Sequence, residues 1–209
     1  MNSPPARGWD GYVNGRDEPV LPAGDCIWNM SNRRRLFFAF WPDPPQQAAL
    51  AEATRRVVER SGGQGVPPEN LHITLVFLGS VPESDIVRVE NIAAKVAQDV
   101  SPGPALVALD VLDYWKKPRV VCLTTQQPAN AQTLRIADLL TERLTTAGFA
   151  LDPRPFRPHV TLARKASRGS MDTPQPLLWT FREFSLIESQ TGPSGSVYHC
   201  RARFTFSSD

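Results

Sequence analysis

His72-Ile73-Thr74-Leu75 and His159-Val160-Thr161-Leu162 are two copies of one pattern: histidine, a β-branched aliphatic, threonine, leucine. Along a strand successive side chains point to opposite faces. His72 and Thr74 therefore share one surface while Ile73 and Leu75 enter a core, and His159 with Thr161 repeats the arrangement against Val160 and Leu162. The chain holds only three histidines. At average residue frequencies, two of three followed by this pattern is an accident on the order of a few in 10⁵. The third, His199, sits in Val197-Tyr198-His199-Cys200-Arg201 without it and is expected on a solvated sheet surface.

Around the two motifs, strand-like and helix-like segments interleave. The aromatic run 36–41 reads as a strand, and 46–60 as a helix stopped by Ser61-Gly62-Gly63. Residues 71–78 form the strand of the first motif. Ser80-Val81-Pro82-Glu83 has capping-box form and leads into an amphipathic helix through Ile86, Val89, Ala93, Val96 and Val100. Residues 105–112 and 119–125 read as strands around a turn at Lys116-Lys117-Pro118, and 131–147 as a helix ended by Gly148. Residues 158–164 carry the second motif. Strands near 178–188 and 197–206, separated by a loop over 190–195, complete the pattern. Interleaved elements with hairpins in the second half give an α+β fold with largely antiparallel sheets.

Composition narrows the function. The chain has 209 residues, enough to bury a core and shape a cleft, and no apolar stretch approaches the roughly 18 residues a membrane span needs. Its three cysteines, Cys26, Cys122 and Cys200, match no disulfide framework and no CxxC spacing, so a cytoplasmic home is expected. A net charge of +2 is too small to argue for nucleic acid by itself. Nearly all the basic residues are arginine, whose planar fork grips phosphate with two hydrogen bonds, and Arg154, Arg157, Arg164, Lys165 and Arg168 cluster without an intervening acid. Residues 1–32 have no periodicity and are expected to be a disordered extension, with Met30 as an alternative start that mass spectrometry of the native protein would test.

Two imidazoles and two hydroxyls on one surface suit phosphoryl chemistry. An imidazole titrates near pH ~6.5, so one copy can accept a proton while the other donates one. Threonine hydroxyls stabilise oxygens that gain charge in the transition state. Zinc needs at least three protein ligands, and neither histidine has a carboxylate beside it, so no metal is expected. Arg164, five residues past His159, is a candidate third phosphate ligand. Phe37, Phe38, Tyr114 and Trp115 are candidates to stack a nucleobase, Phe37 and Trp115 foremost. The motifs are nearly symmetric, so their residues do not say which histidine is the acid.

The chain resembles the 2H phosphoesterase superfamily, and within it the RNA 2′,3′-cyclic phosphodiesterases, also called 2′-5′ RNA ligases (LigT or ThpR type). The resemblance covers about residues 34–206. It rests on Arg35-Leu36-Phe37-Phe38-Ala39, on Glu69-Asn70-Leu71-His72-Ile73-Thr74-Leu75-Val76-Phe77-Leu78-Gly79, and on Arg154-Pro155-Phe156-Arg157-Pro158-His159-Val160-Thr161-Leu162-Ala163-Arg164. It implies a single two-lobed, pseudo-symmetric domain over 33–209, with antiparallel sheets and outer helices around a central cleft. It further implies metal-independent and cofactor-free opening of RNA 2′,3′-cyclic phosphate ends to 2′-phosphates, tRNA fragments among the substrates, by a monomer. His72 would be the proton donor and His159 the acceptor, with Thr74, Thr161 and Arg164 holding the phosphate. The reverse reaction would make a 2′-5′ bond. Alternatives are a phosphodiesterase of 2′-5′ oligonucleotides or small cyclic phosphates, and a module that binds RNA ends without turnover.

Overall fold

The computed structural model describes residues 32–127, 129–169, 175–192 and 195–206. The expected extension lies outside these residues save for Asn32, as do Cys26 and Met30. In chain order the elements are β1 (Arg33–Phe40), α1 (Pro44–Arg60), β2 (Gln64–Gly65), β3 (Ile73–Pro82), α2 (Ile86–Asp99), β4 (Ala105–Leu109), β5 (Val111–Trp115), β6 (Val120–Thr124), α3 (Ala131–Thr146), β7 (His159–Arg164), β8 (Leu177–Phe181), β9 (Glu183–Gly192) and β10 (Gly195–Thr205). The main sheet runs β10-β9-β1-β3-β7-β6-β5, with β2 beside β7, and β4 and β8 form a second, two-stranded sheet. Every pairing is antiparallel. No helix among the described residues is long and apolar enough to cross a membrane.

The repeat seen in the sequence is a repeat in space. β1-α1-β3 and β6-α3-β7 are each a strand, a helix and a strand paired back to the first, with His159 opening β7 and His72 one residue before β3, which starts two residues later than the sequence suggests. Because β3 meets β7, the order β1-β3-β7-β6 is symmetric about its middle. The helices are exchanged across that midline: α1 rests on β7 and α3 on β3.

Local chemistry explains the elements. α1 opens with a capping box, Asp43 accepting the Gln46 N–H and the Gln46 side chain accepting the Asp43 N–H, ahead of proline in the first turn. α3 is capped by Asn130, whose side chain accepts the Thr133 N–H, and ends where Gly148 adopts φ +89°. In β1, Leu36, Phe38 and Phe40 enter the main core, while Phe37 and Ala39 meet Ile187 on the opposite face. A strand covered on both sides reads as an unbroken apolar run.

Four expectations are corrected. Ser80 caps no helix: it lies in β3, its hydroxyl accepts from Arg33 Nε at 2.9 Å, and α2 starts at Ile86 behind Asp85, which makes no side-chain cap. The stretch 105–112 divides between β4, which pairs with β8, and β5, which pairs with β6. The stretch 178–188 likewise divides at Arg182, β8 in the small sheet and β9 in the large one. Of the expected loop over 190–195, residues 190–192 belong to β9 and Gly195 to β10, and 193–194 lie outside the described residues.

Candidate active site

β3 and β7 pair at Ile73 and Val160, both fully buried. Continuing that register by one residue either way sets Thr74 opposite His159 and His72 opposite Thr161. Two histidines and two threonines thus form a square on one face, with like residues on its diagonals, about 7 Å apart by sheet geometry. The aliphatics that alternate with them are the pair that fastens the two halves together.

A bulge in each strand extends the face. Opposite β1, Phe38 pairs with Val76 and Ala39 with Thr74, so Leu75 is the extra residue; opposite β6, Val121 pairs with Ala163 and Cys122 with Thr161, so Leu162 is extra. Strict alternation would send the residue five past each histidine to the far side. The bulge restores it to the cleft side, giving Phe77 in the first half and Arg164 in the second. Residues 72–77 and 159–164 accordingly follow the same succession of burial, two half-buried polar positions, paired aliphatics and an exposed sixth residue. Phe77, 40 % exposed, is thus the counterpart of Arg164.

Two recesses adjoin this square. One of about 260 Å³ is bordered by His72, Thr74, Phe77, Arg164, Arg35 and Tyr198. The other, about 650 Å³, is bordered by His159, Trp115, Lys117, Arg154 and Arg157. Thr74 and Phe77 border both. Thr161 is half-buried on the same face of β7. Arg154 and Arg157 are matched by Asp152 and Asp113, whereas Arg164 has no carboxylate partner among the described residues.

Each imidazole is held in the same way. His72 Nδ1 lies 2.7 Å from the Asn70 carbonyl and His159 Nδ1 lies 2.8 Å from the Arg157 carbonyl. A carbonyl only accepts, so Nδ1 carries the proton in both rings and Nε2 is left for the cleft. The carbonyl just before each histidine is held by a buried side chain: Gln47 of α1 donates to Leu71 at 3.1 Å and to Glu69 at 3.1 Å, and the Thr124 hydroxyl of β6 donates to Pro158 at 2.9 Å. Gln47 and Thr124 carry no sequence signal, because a buried helical glutamine and a strand threonine look like any others.

The rings around the two histidines differ. Trp41 stacks on His72 at 4.8 Å and 7°, with Phe37 at 5.1 Å and Tyr198 edge-on at 5.4 Å. His159 meets Trp115 at 4.7 Å and 56°. Phe37 is 3 % exposed and its ring lies against His72 and Tyr198, so it backs the imidazole where the sequence suggested a platform for a base. Phe38 is in the core, and the Tyr114 hydroxyl donates to the Ala166 carbonyl at 3.1 Å. His199 is exposed on β10, as expected.

Burial pushes His72 down to about 4, opposed by the Asn70 carbonyl and reinforced by the charges of Arg164 and His159. His159 is lowered too, first by burial and then by Arg157, Arg164 and Arg154, against the Arg157 carbonyl. Both rings are therefore biased towards the neutral form in a site whose charges without a carboxylate partner among the described residues, Arg164, Arg35 and Lys117, are positive. An anion entering it would relieve that bias.

The fold is that of the phosphoesterases: a solved phosphoesterase superposes with a TM-score of 0.75 at 26% identity, over 83% of this chain and 98% of its own. A model of the 2′-5′ RNA ligase superfamily matches residues 41–193, and the chain belongs to that superfamily. It is 34% identical over 166 residues to the RNA 2′,3′-cyclic phosphodiesterase of Escherichia coli, an alignment covering 77% of this chain and 89% of that one. The protein of the same name from Thermus thermophilus is 31% identical over 180 residues, covering 82% and 89%. Escherichia coli LigT, solved in apo form, superposes at a TM-score of 0.75 with 26% identity over 84% of this chain and 99% of its own; LigT has also been solved with 3′-AMP.

Proposed function

We propose that the protein is an RNA 2′,3′-cyclic phosphodiesterase that opens the cyclic phosphate to a 2′-phosphate with two histidines and no metal. The observation that carries this reading is the square of His72, Thr74, His159 and Thr161 with Arg164 at its rim. Its relatives' activity supports it. His159 Nε2 takes a proton from water as the water oxygen bonds to phosphorus, the bond from phosphorus to the 3′ oxygen breaks, and His72 Nε2 gives its proton to that oxygen. Thr74, Thr161 and Arg164 hold the non-bridging oxygens, whose charge grows in the transition state. Assigning the acid to His72 and the base to His159 follows the family resemblance. Trp115, beside His159, is the better placed of the two stacking candidates.

The test is hydrolysis of an oligoribonucleotide ending in a 2′,3′-cyclic phosphate, in EDTA, with 2′- and 3′-phosphate products resolved. A 2′-phosphate is expected, and His72→Ala or His159→Ala should each lower turnover by about 10²–10⁴, the usual worth of a general acid or base. A rate that vanishes in EDTA, or survives either substitution, sinks the mechanism.

One observation favours a second reaction at the same site. The 650 Å³ recess on the His159 side is far larger than a water nucleophile requires and is bordered by Trp115, Lys117 and Arg157. It suits the nucleoside of a strand that brings a 5′-hydroxyl, whose attack in place of water makes a 2′-5′ bond. Incubation with a 5′-hydroxyl acceptor should give a 2′-5′-linked product; hydrolysis alone at millimolar acceptor would remove this reading.

A further inference from the structure

The two histidines sit in unlike surroundings, one among three rings and the other beside a single tryptophan and several arginines. We propose that Asp113 is the positioning residue of the His159 half of the site, binding Trp115 and Arg157 together so that both bear on one imidazole. This rests on the reading of His159 as a proton-transfer group.

A closed circuit of contacts carries the inference. One oxygen of Asp113, Oδ2, accepts the Trp115 Nε1–H at 2.8 Å and an Arg157 guanidinium N–H at 2.9 Å. The guanidinium lies over the Trp115 ring, 5.3 Å from its centroid. Trp115 in turn lies 4.7 Å from the His159 ring, and the Arg157 carbonyl takes the His159 Nδ1–H at 2.8 Å. Thus the ring's face is set by Trp115 and its in-plane direction by Arg157, and Asp113 is the group common to both. Among the described residues no such circuit surrounds His72, whose faces are packed by Trp41, Phe37 and Tyr198 and whose in-plane direction is set by the Asn70 carbonyl.

As an exposed ion pair Asp113 and Arg157 would contribute little to stability. Their effect is on geometry and charge. The charged and titratable groups facing His159 are Arg157, Arg154, Lys117 and Asp152 from the loops beside it, Arg164 from its own strand and His72 across the pairing, and the one carboxylate among them, Asp152, is taken up by Arg154. Asp113 offsets Arg157, as Asp152 offsets Arg154. Removing the Asp113 charge leaves Arg157 uncompensated and both contacts of the imidazole loosened.

The experiment is Asp113→Asn, which keeps the shape, alone and in an Arg157→Gln background, in the full chain. Three readouts are taken: kcat and KM on a 2′,3′-cyclic-phosphate oligoribonucleotide, the pH profile of kcat, and the His159 proton titration by NMR. In the single variant kcat should fall about tenfold with KM within twofold, and the His159 midpoint should drop by about half a pH unit. In the Arg157→Gln background the same substitution should change kcat less than twofold, since residues acting through one another are not additive. An unshifted midpoint with unchanged kcat, or full additivity, overturns the proposal. The NMR titration needs no turnover, so it tests Asp113 even if the cyclic phosphate is not the substrate.

Discussion

An anion placed between the two histidines should raise His72 by about three pH units. Free His72 is held at about 4 by burial, with the positive charges of Arg164 and His159 adding to the effect. At neutral pH the proposed acid is therefore almost wholly unprotonated, and donation requires the substrate to restore its proton. A unit negative charge 4 Å from the imidazolium contributes about 4 kcal/mol at an effective dielectric of 20. At 1.36 kcal/mol per pH unit that is about three units, enough to bring the ring's midpoint back to near pH 7. The ordering is then substrate first, proton second. Sulfate is a suitable probe because it does not titrate above pH 4 and mimics a phosphoryl group. With three histidines in the chain, His→Gln variants assign each ring resonance, and the His72 midpoint is read with and without saturating sulfate. A midpoint that stays near 4 with sulfate bound would refute the reasoning, because His72 could then not serve as the acid near neutral pH.

Three further outcomes follow from the same geometry. His72 binds protons more weakly folded than unfolded, so its neutral form supports the fold fully above about pH 6.5 and that support is lost as the pH falls through 4, by at most about 3 kcal/mol; urea unfolding from pH 7 to 4 should show this slope, flattened in His72→Gln. Thr124→Val keeps the β-branch of a fully buried residue but strips the Pro158 carbonyl of its donor, so stability should fall by about 1–3 kcal/mol in denaturant titration. Arg164→Lys keeps the charge but loses the fork, and kcat/KM should fall by roughly 10–100-fold, a near-normal value showing that the guanidinium geometry is not used.

The two histidine motifs were legible because a strand's alternation acts over only a few residues, and the Ile73–Val160 pairing joins them as that alternation implies. The repeat extends further than the four-residue pattern suggested. Phe77 and Arg164 occupy the same place, but bulges, which depend on the partner strand, hide the equivalence from a reading that steps by two. The divided strands were missed for a related reason: Asp110 and Arg182 lie at points where the chain leaves one sheet for another, and one or two charged residues between apolar ones read as part of a continuous strand. The failed cap at Ser80 shows a local signal overridden by sheet pairing with Arg35. Trp41, Tyr198, Gln47, Thr124 and Asp113 act by tertiary contact alone, and no spacing announces them.

The exchange of helices across the midline has a consequence for how this molecule can move. Since α1 lies on β7 and α3 on β3, each half supplies the roof of the other's histidine strand. The lobes are latched like two hands gripping each other's wrists. Opening them as a hinge would strip a helix from its seat and expose the apolar undersides of both central strands together. The gap between the imidazoles is therefore a fixed gauge, set by the backbone, and adaptation to different substrates falls to the side chains at its two mouths.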